Sequence, residues 1–205
     1  ADKIRANSEI QDITQALGCG LGKDFDLDKL RYEKVIIMTD ADVDGAHIAS
    51  LLISFFFSKM RPLIDKGHLY LAQPPLYRLV SGNLSAYAMD DAHREKLLET
   101  TFKNKSKIDV SRFKGLGEMP ARQLKETTMN PETRTLIRVT LPDAITALGL
   151  TAAALENDED TDIEQAKYAS REAVSDLVNR LMGKNAEARF TFIQDHAEFV
   201  DNIDV

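Results

Sequence analysis

The pattern of apolar and polar positions along the chain predicts an α/β fold. Residues 35–39 form an apolar run rich in β-branched side chains, and they follow the charged Glu33 and Lys34. Such a run predicts a fully buried strand of a parallel sheet. After Gly45 the chain is apolar on nearly all sides of a predicted helix that ends near Lys59. A helix of this kind needs cover on more than one face, which favours helices layered around a sheet.

The periodicity and the turn signals predict the other elements of the first part of the chain. Five side chains of the helix after Gly45 are expected to pack on the sheet: Ile48, Leu51, Leu52, Phe55 and Phe56. The remaining predicted elements are a helix with a capping box at Ser8 that ends at Gly18, a short helix capped by Asp26, a strand over residues 69–72, a hairpin over 76–89 that turns at 81–83, a helix over 91–100, a helix after Pro120 and a strand over 135–139.

An acidic stretch separates this part from a helical tail. Residues 156–164 hold six acidic side chains and no basic one, a composition typical of a solvated linker. Beyond it, apolar stripes predict helices over residues 163–182 and 186–199, joined at Gly183. We therefore expect an α/β domain over residues 1–153 and a linker with a helical tail over residues 154–205. The helical hairpin needs a surface to pack against, either its own domain or a partner.

The distribution of charge is more informative than the formal net charge of −7. Residues 102–125 hold seven basic side chains against Asp109 and Glu118, which is enough for a surface that contacts phosphates, although an ordinary solvated face has the same composition. The basic residues are Lys103, Lys105, Lys107, Arg112, Lys114, Arg122 and Lys125.

Cysteine content and apolar run lengths exclude other classes of protein. The single cysteine, Cys19, excludes an internal disulfide and a cysteine zinc cluster, and it fits a reducing cytoplasm. The longest apolar run, residues 51–57, is far shorter than the roughly 20 residues that a membrane span needs. The sequence therefore predicts a globular protein with no membrane-spanning segment.

Three aspartates, Asp40, Asp42 and Asp44, follow the predicted strand directly. Ligands bind at the carboxyl ends of strands in open α/β sheets, so we expect these alternating residues to bring three carboxylates together. Like charges at such distances repel one another unless a cation joins them. Hard divalent cations prefer oxygen ligands, so the sequence predicts a site for Mg²⁺, with Mn²⁺ as the alternative metal.

Other interpretations of the acidic segment stay open. An EF-hand loop begins with the same spacing, but its twelfth position would be Leu51 instead of the glutamate that binds calcium. A phosphotransferase of the haloacid-dehalogenase type would use the first aspartate as its nucleophile, although Asp44 replaces the expected Thr or Val. A noncatalytic metal-binding interaction module is a third alternative. In a purely structural interpretation, Asp42 is a solvated turn residue and Asp44 caps the helix that starts at Gly45.

Two segments resemble the signatures of a known family. The segment IMTDADVDGAHI at residues 37–48 resembles the TOPRIM metal motif of bacterial type IIA DNA topoisomerase B subunits, and RFKGLGEM at residues 112–119 resembles their second signature. Segments at residues 73–78, 126–129 and 181–184 are also similar, so the resemblance covers nearly the whole chain. The closest resemblance is to topoisomerase IV B subunits, because Arg112-Phe113 precedes the glycines and no long insertion separates them from Tyr77-Arg78. The DNA gyrase B subunits are the alternative.

The resemblance implies a TOPRIM-type parallel sheet flanked by helices, with a helical tail at the C-terminus. It implies a Mg²⁺ site in which Asp40 is the shared ligand, Asp42 is the second, and Asp44 is a weaker ligand that acts through water or as a helix cap. It also implies that His47 contacts DNA. Arg112 and Lys114 of the basic stretch are further DNA-binding candidates, and Arg189 in the last helix is another.

The family reaction passes one DNA duplex through a transient double-strand break and is driven by ATP. The resemblance implies double-stranded DNA as substrate and a topoisomerase A subunit, of the topoisomerase IV or gyrase type, whose tyrosine attacks the phosphodiester. The two kinds of subunit would form an A2B2 heterotetramer in the bacterial cytoplasm. Two family parts do not occur in this sequence: the upstream Glu-Gly-Asp-Ser segment with its catalytic glutamate, and the ATPase module. We therefore expect a C-terminal fragment of the B subunit that is inactive alone.

Overall fold

The computed structural model describes residues 6–40, 42–141 and 163–197. The chain divides into two compact units, residues 1–139 and residues 140–205. The predicted domain boundary near Ala153 lies outside the described residues, as does most of the acidic stretch, and both stay predictions.

The first unit contains both helices and strands, and the described residues of the second unit contain two helices. Their order is α1 (Ser8–Leu17), β1 (Val35–Ile37), α2 (Val43–Lys59), α3 (Pro62–Asp65), β2 (Leu69–Gln73), β3 (Tyr77–Ser81), β4 (Leu84–Ala88), α4 (Asp91–Glu99), β5 (Asp109–Arg112), α5 (Ala121–Leu124), β6 (Thr135–Arg138), α6 (Ile163–Met182) and α7 (Ala186–His196).

The first sheet has the strand order β1-β2-β6. Strands β1 and β2 are parallel, with Val35 opposite Leu69, whereas β2 and β6 are antiparallel. The predicted parallel pairing is confirmed, but the prediction of a fully buried strand over residues 35–39 is wrong. The strand ends at Ile37, which is buried, while Val35 and Ile36 are only half-buried. Because β1 stands at the edge of this sheet, one of its sides has no strand beside it in the described structure.

Helix α2 is confirmed, but its large apolar side chains are buried only in its second half. Phe55 and Phe56 are buried, whereas Ile48 is 50% exposed and Leu51 is 48% exposed. A strand of three residues spans about 10 Å, while a helix of 17 residues spans about 25 Å. The short strand therefore cannot cover the whole length of the helix.

The second sheet has the order β4-β3-β5, and both pairings are antiparallel. The predicted hairpin is confirmed, and Gly82 at its turn has a φ of 59°, a conformation that favours glycine. Tyr77, Leu79 and Ala88 form a core with Phe102. Leu97 and Leu98 of α4 pack against this core.

Some helix termini follow the predicted signals and others do not. Helix α1 ends at Gly18, which has a φ of 74° and donates its N–H to Thr14. The predicted capping box at Ser8 is wrong, because the Asn7 side chain accepts the hydrogen bond from Ile10 N–H and caps the helix one residue earlier. A short 3₁₀ helix, Leu27–Lys29, is capped by Asp26 as predicted.

The second unit contains the predicted helical hairpin. Helix α6 ends at Met182, and α7 begins after Asn185, whose side chain caps it. Several large apolar side chains of this hairpin are exposed, namely Leu177, Met182, Phe190 and Ile193. No helix in the described ranges is both long and apolar enough to span a membrane.

Candidate functional site

Asp40 lies just beyond β1, and its exposed side chain is held by a distant part of the chain. Its Oδ1 accepts a 2.7 Å hydrogen bond from the backbone N–H of Leu116. A short bond between an amide and an ionised carboxylate is among the stronger kinds of hydrogen bond. The segment that resembles the metal motif is therefore in contact with the segment that resembles the second signature.

Two glycines allow this close packing around Asp40. A Cβ atom on Gly45 would lie 2.1 Å from the backbone oxygen of Asp40, and one on Gly115 would lie 2.8 Å from its Cγ. Both distances are shorter than real Cβ contacts, so any larger residue would displace Asp40. Glycine at position 45 thus leaves room for the backbone of Asp40, and glycine at position 115 leaves room for its carboxylate.

Asp42 is the N-cap of α2. Its Oδ1 accepts a 2.7 Å hydrogen bond from Gly45 N–H, and its backbone is extended. The structural interpretation with Asp44 as the cap is therefore wrong, because Asp44 lies inside the first helical turn. The EF-hand interpretation also fails, since residues 43–51 are helical and cannot form most of a calcium loop.

The three aspartates are not assembled as a set. Among the residues described, no three His, Cys, Asp or Glu side chains are placed to hold one metal ion. The expectation that strand alternation brings three carboxylates together is not met, because the strand stops at Ile37 and α2 begins at Val43. The donor chemistry still fits Mg²⁺, which commonly takes one or two carboxylates and completes its shell with water and phosphate oxygens.

His47 and Lys114 are exposed residues on different elements of the first unit. His47 lies in α2, one turn beyond its start, where a helix N-terminus favours anions. Lys114 lies in the loop after β5, and its backbone N–H donates to Glu118 Oε2 at 2.8 Å. The side chain of Lys114 therefore faces solvent while its backbone is fixed.

Arg112 is the last residue of β5 and stands opposite Tyr77 in the second sheet. Its guanidinium lies 5.9 Å from the centroid of the Tyr77 ring, and that of Arg94 lies 4.8 Å from it. The Tyr77 hydroxyl donates to Asp91 at 2.9 Å, and Asp91 also pairs with Arg94. A fixed aromatic ring thus supports Arg112 at the edge of the sheet.

The seven basic residues of the stretch between Lys103 and Lys125 are all exposed. Arg122 forms an ion pair with Glu126, with 2.8 Å between its Nε and Glu126 Oε1. The hydrogen bond to this glutamate raises the pKa of the Arg122 guanidinium above its ordinary value. The other six basic residues have no ion pair in the part of the chain that the structure describes.

Arg189 belongs to the second unit and contributes to the turn of the helical hairpin. One of its terminal nitrogens donates to the backbone oxygen of Gly183 at 2.9 Å, and the side chain is half-buried. This contact gives Arg189 a structural role. Its assignment to DNA binding stays a prediction.

Sequence reasoning missed the loop contacts that organise the site. Phe113 and Met119 are buried on either side of the loop. They help to line an apolar hollow whose other walls are Pro74, Pro75, Leu76, Gly115 and Leu116. The alternation of large apolar residues with glycines in this segment was an available signal for a docked loop. Nothing in the sequence indicated that its target is Asp40.

Comparison with known proteins gives matches over both units. Residues 2–74 match the family model of the Toprim domain, and residues 105–159 match that of the DNA gyrase B subunit carboxyl terminus. The chain is 53% identical to the DNA topoisomerase 4 B subunit of Caulobacter vibrioides over 97% of its own length. It is 48% identical to the same subunit of Bartonella bacilliformis and 46% identical to the DNA gyrase B subunit of Halalkalibacterium halodurans, in both cases over 100% of its length.

These matches cover only part of each relative. The chain spans 25% of the Caulobacter protein, 26% of the Bartonella protein and 28% of the Halalkalibacterium protein.

Proposed function

The chain belongs to the family of bacterial type II DNA topoisomerase B subunits, and from this membership we propose that it is the part of such a subunit that holds the metal for DNA cleavage. The intact enzyme would pass one duplex through a transient double-strand break, using ATP. It would act in the bacterial cytoplasm, in an A2B2 assembly with an A subunit that supplies the attacking tyrosine.

One observation carries this proposal: a single loop joins the acidic segment to the basic stretch. The backbone N–H of Leu116 in that loop binds Asp40. Lys114 of the same loop is exposed and follows Arg112 by two residues in the sequence. A cleavage site needs carboxylates to hold a cation and positive side chains to hold the phosphodiester backbone. The loop provides the connection between these two requirements.

The residues have distinct roles in this proposal. Asp40 and Asp42 offer carboxylate oxygens, with Asp44 as a weaker ligand, and His47, Arg112 and Lys114 contact DNA phosphates. When bound, Mg²⁺ or Mn²⁺ supplies charge stabilisation to the attacking and leaving oxygens. Arg189 is a weaker DNA-binding candidate because its guanidinium already serves the hairpin turn.

We assign the chain to the topoisomerase IV type in preference to the gyrase type. The identity to two topoisomerase 4 relatives, at 53% and 48%, is somewhat higher than the 46% identity to a gyrase relative. A topoisomerase IV would relax and decatenate DNA, whereas a gyrase would introduce negative supercoils. Assays of both reactions with the assembled enzyme separate the two assignments.

The test of the metal assignment is Asp40→Asn in the complete B subunit, assayed with its A subunit. The substitution keeps the shape of the side chain and removes its charge, so we expect loss of Mg²⁺-dependent plasmid cleavage with unchanged circular dichroism. Asp24→Asn, an exposed aspartate elsewhere in the first unit, is the matched control and should cleave like the parent. Undiminished cleavage by the Asp40→Asn protein would contradict the proposal.

A further inference from the structure

We propose that the loop of residues 114–118 is a positioning device that sets the orientation of the Asp40 carboxylate. The inference rests on the proposed function, since it concerns how a metal ligand is prepared for its cation. Leu116 acts through its backbone and Gly115 acts through the absence of a side chain. Neither residue is itself a metal ligand in this proposal.

The loop is anchored at both ends and closed on itself. Before it, Phe113 is buried and donates its backbone N–H to Leu76 at 2.9 Å. After it, Met119 is buried and donates its N–H to Leu116 at 3.1 Å. Across it, Glu118 accepts the N–H of Lys114. A loop fixed in this way presents the Leu116 amide at a defined position.

The anchored loop engages one oxygen of Asp40 and not the other. Leu116 N–H binds Oδ1, while Oδ2 has no hydrogen-bond partner within the described residues. One oxygen is thus used to fix the carboxylate, and the second is left for a cation. Groups that orient metal ligands in this manner typically change metal affinity by about 10- to 100-fold when they are removed.

Glycine is required at position 115 for space and not for backbone freedom. Its backbone is extended, with φ −164° and ψ 173°, a conformation open to any residue. A Cβ there would lie within 2.9 Å of both Asp40 carboxylate oxygens. Gly117, two positions later in the same loop, would place its Cβ against nothing within 4 Å. Gly117→Ala is therefore the matched control for Gly115→Ala, since it adds a methyl group to the same loop without bringing it against Asp40.

The first measurement is a Mn²⁺ titration of the present chain, followed by electron paramagnetic resonance. We expect Gly115→Ala to weaken Mn²⁺ binding by about tenfold or more and Gly117→Ala to bind like the parent. Asp40→Asn is included to test the proposed function separately. If Asp40→Asn weakens binding but Gly115→Ala does not, the positioning role is overturned and the metal site stands. If Asp40→Asn binds like the parent, the metal assignment itself fails.

The second measurement does not require a metal. Hydrogen exchange of the Leu116 amide, followed by nuclear magnetic resonance, should be slow in the parent and in Gly117→Ala. It should be faster in Gly115→Ala and in Asp40→Ala. Rapid exchange in the parent would overturn the proposed contact.

A third variant covers the case in which Gly115→Ala does not fold. Leu116→Pro removes the N–H at the first position of a short 3₁₀ turn, where proline is tolerated, and it follows an extended residue. It should lower Mn²⁺ affinity as Gly115→Ala does. Parent-like Mn²⁺ affinity in this variant would also overturn the proposal.

Discussion

Asp42 shows at the scale of one residue how a ligand candidate also serves the fold. Its side chain caps α2 through Gly45 N–H, and the same carboxylate is proposed to contribute to the metal site. Asparagine is as good a cap as aspartate but carries no charge, whereas alanine is a poor cap. The two substitutions therefore separate the two roles.

We predict that Asp42→Ala lowers the free energy of unfolding by about 1 kcal/mol, while Asp42→Asn leaves it nearly unchanged. Both should weaken Mn²⁺ binding, because both remove the negative charge. Urea denaturation and a Mn²⁺ titration measure the two effects. An Asp42→Ala protein as stable as the parent would contradict the cap, and parent-like Mn²⁺ affinity in Asp42→Asn would remove Asp42 from the metal site.

The sequence predicts the acids of the site but not their partners. The sequence predicts a strand, a cap and a helix in this order because each has a local signal, but it extends the strand to residue 39 and assigns the cap to Asp44, whereas β1 ends at Ile37 and Asp42 is the cap. The hydrogen bond from Leu116 joins residues far apart in sequence, and no local periodicity encodes it. The prediction that three carboxylates come together is wrong because it assumes that the strand continues through the acids, whereas β1 ends at Ile37.

At the scale of elements, the Tyr77 hydroxyl connects strand β3 to helix α4 through Asp91. We predict that Tyr77→Phe lowers the free energy of unfolding by about 1 kcal/mol, since one hydrogen bond is lost while the ring stays. DNA affinity should not change, because the ring under Arg112 is retained. The measurement is urea denaturation together with duplex binding.

The matched control for this prediction is Tyr70→Phe. The Tyr70 hydroxyl makes no hydrogen bond within the described ranges, so its removal should leave stability close to that of the parent. Equal losses of stability in the two variants would show that the hydrogen bond between Tyr77 and Asp91 does not contribute to the free energy of unfolding.

Elements with strong local signals were predicted, and elements fixed by their neighbours were not. The hairpin of β3 and β4 follows from apolar strands around Gly82, and α6 follows from its apolar stripe. Strand β5 has four exposed residues and forms because β3 offers it an open edge. The π-helical turn Lys125–Met129 buries Thr127 and Thr128, a polar pair that sequence patterns assign to the surface.

At the scale of the whole molecule, a net charge of −7 coexists with a local basic surface. We predict that Arg112→Gln with Lys114→Gln weakens binding to duplex DNA about equally for all sequences. The negative slope of log affinity against log salt should become less steep by about two units, one unit for each lost phosphate contact. Fluorescence anisotropy at several salt concentrations measures both quantities.

A control with the same loss of charge identifies the surface. Lys23→Gln with Lys66→Gln removes two exposed lysines outside the basic stretch and should leave the salt slope unchanged. If the two double variants behave alike, DNA responds to total charge and the basic stretch is an ordinary solvated face.

The strand order β1-β2-β6 also has a consequence for the time course of folding. Strand β2 sits between partners that are distant in sequence: Val35 pairs with Leu69, and Tyr70 pairs with Arg138. The second sheet and α4 lie entirely between β2 and β6 along the chain. Pairing of distant strands is slow because the entropy cost of closing a long loop comes before any stabilising contact has formed. During synthesis the hairpin of β3 and β4 can therefore form early, while the sheet next to Asp40 is completed only when β6 has been made.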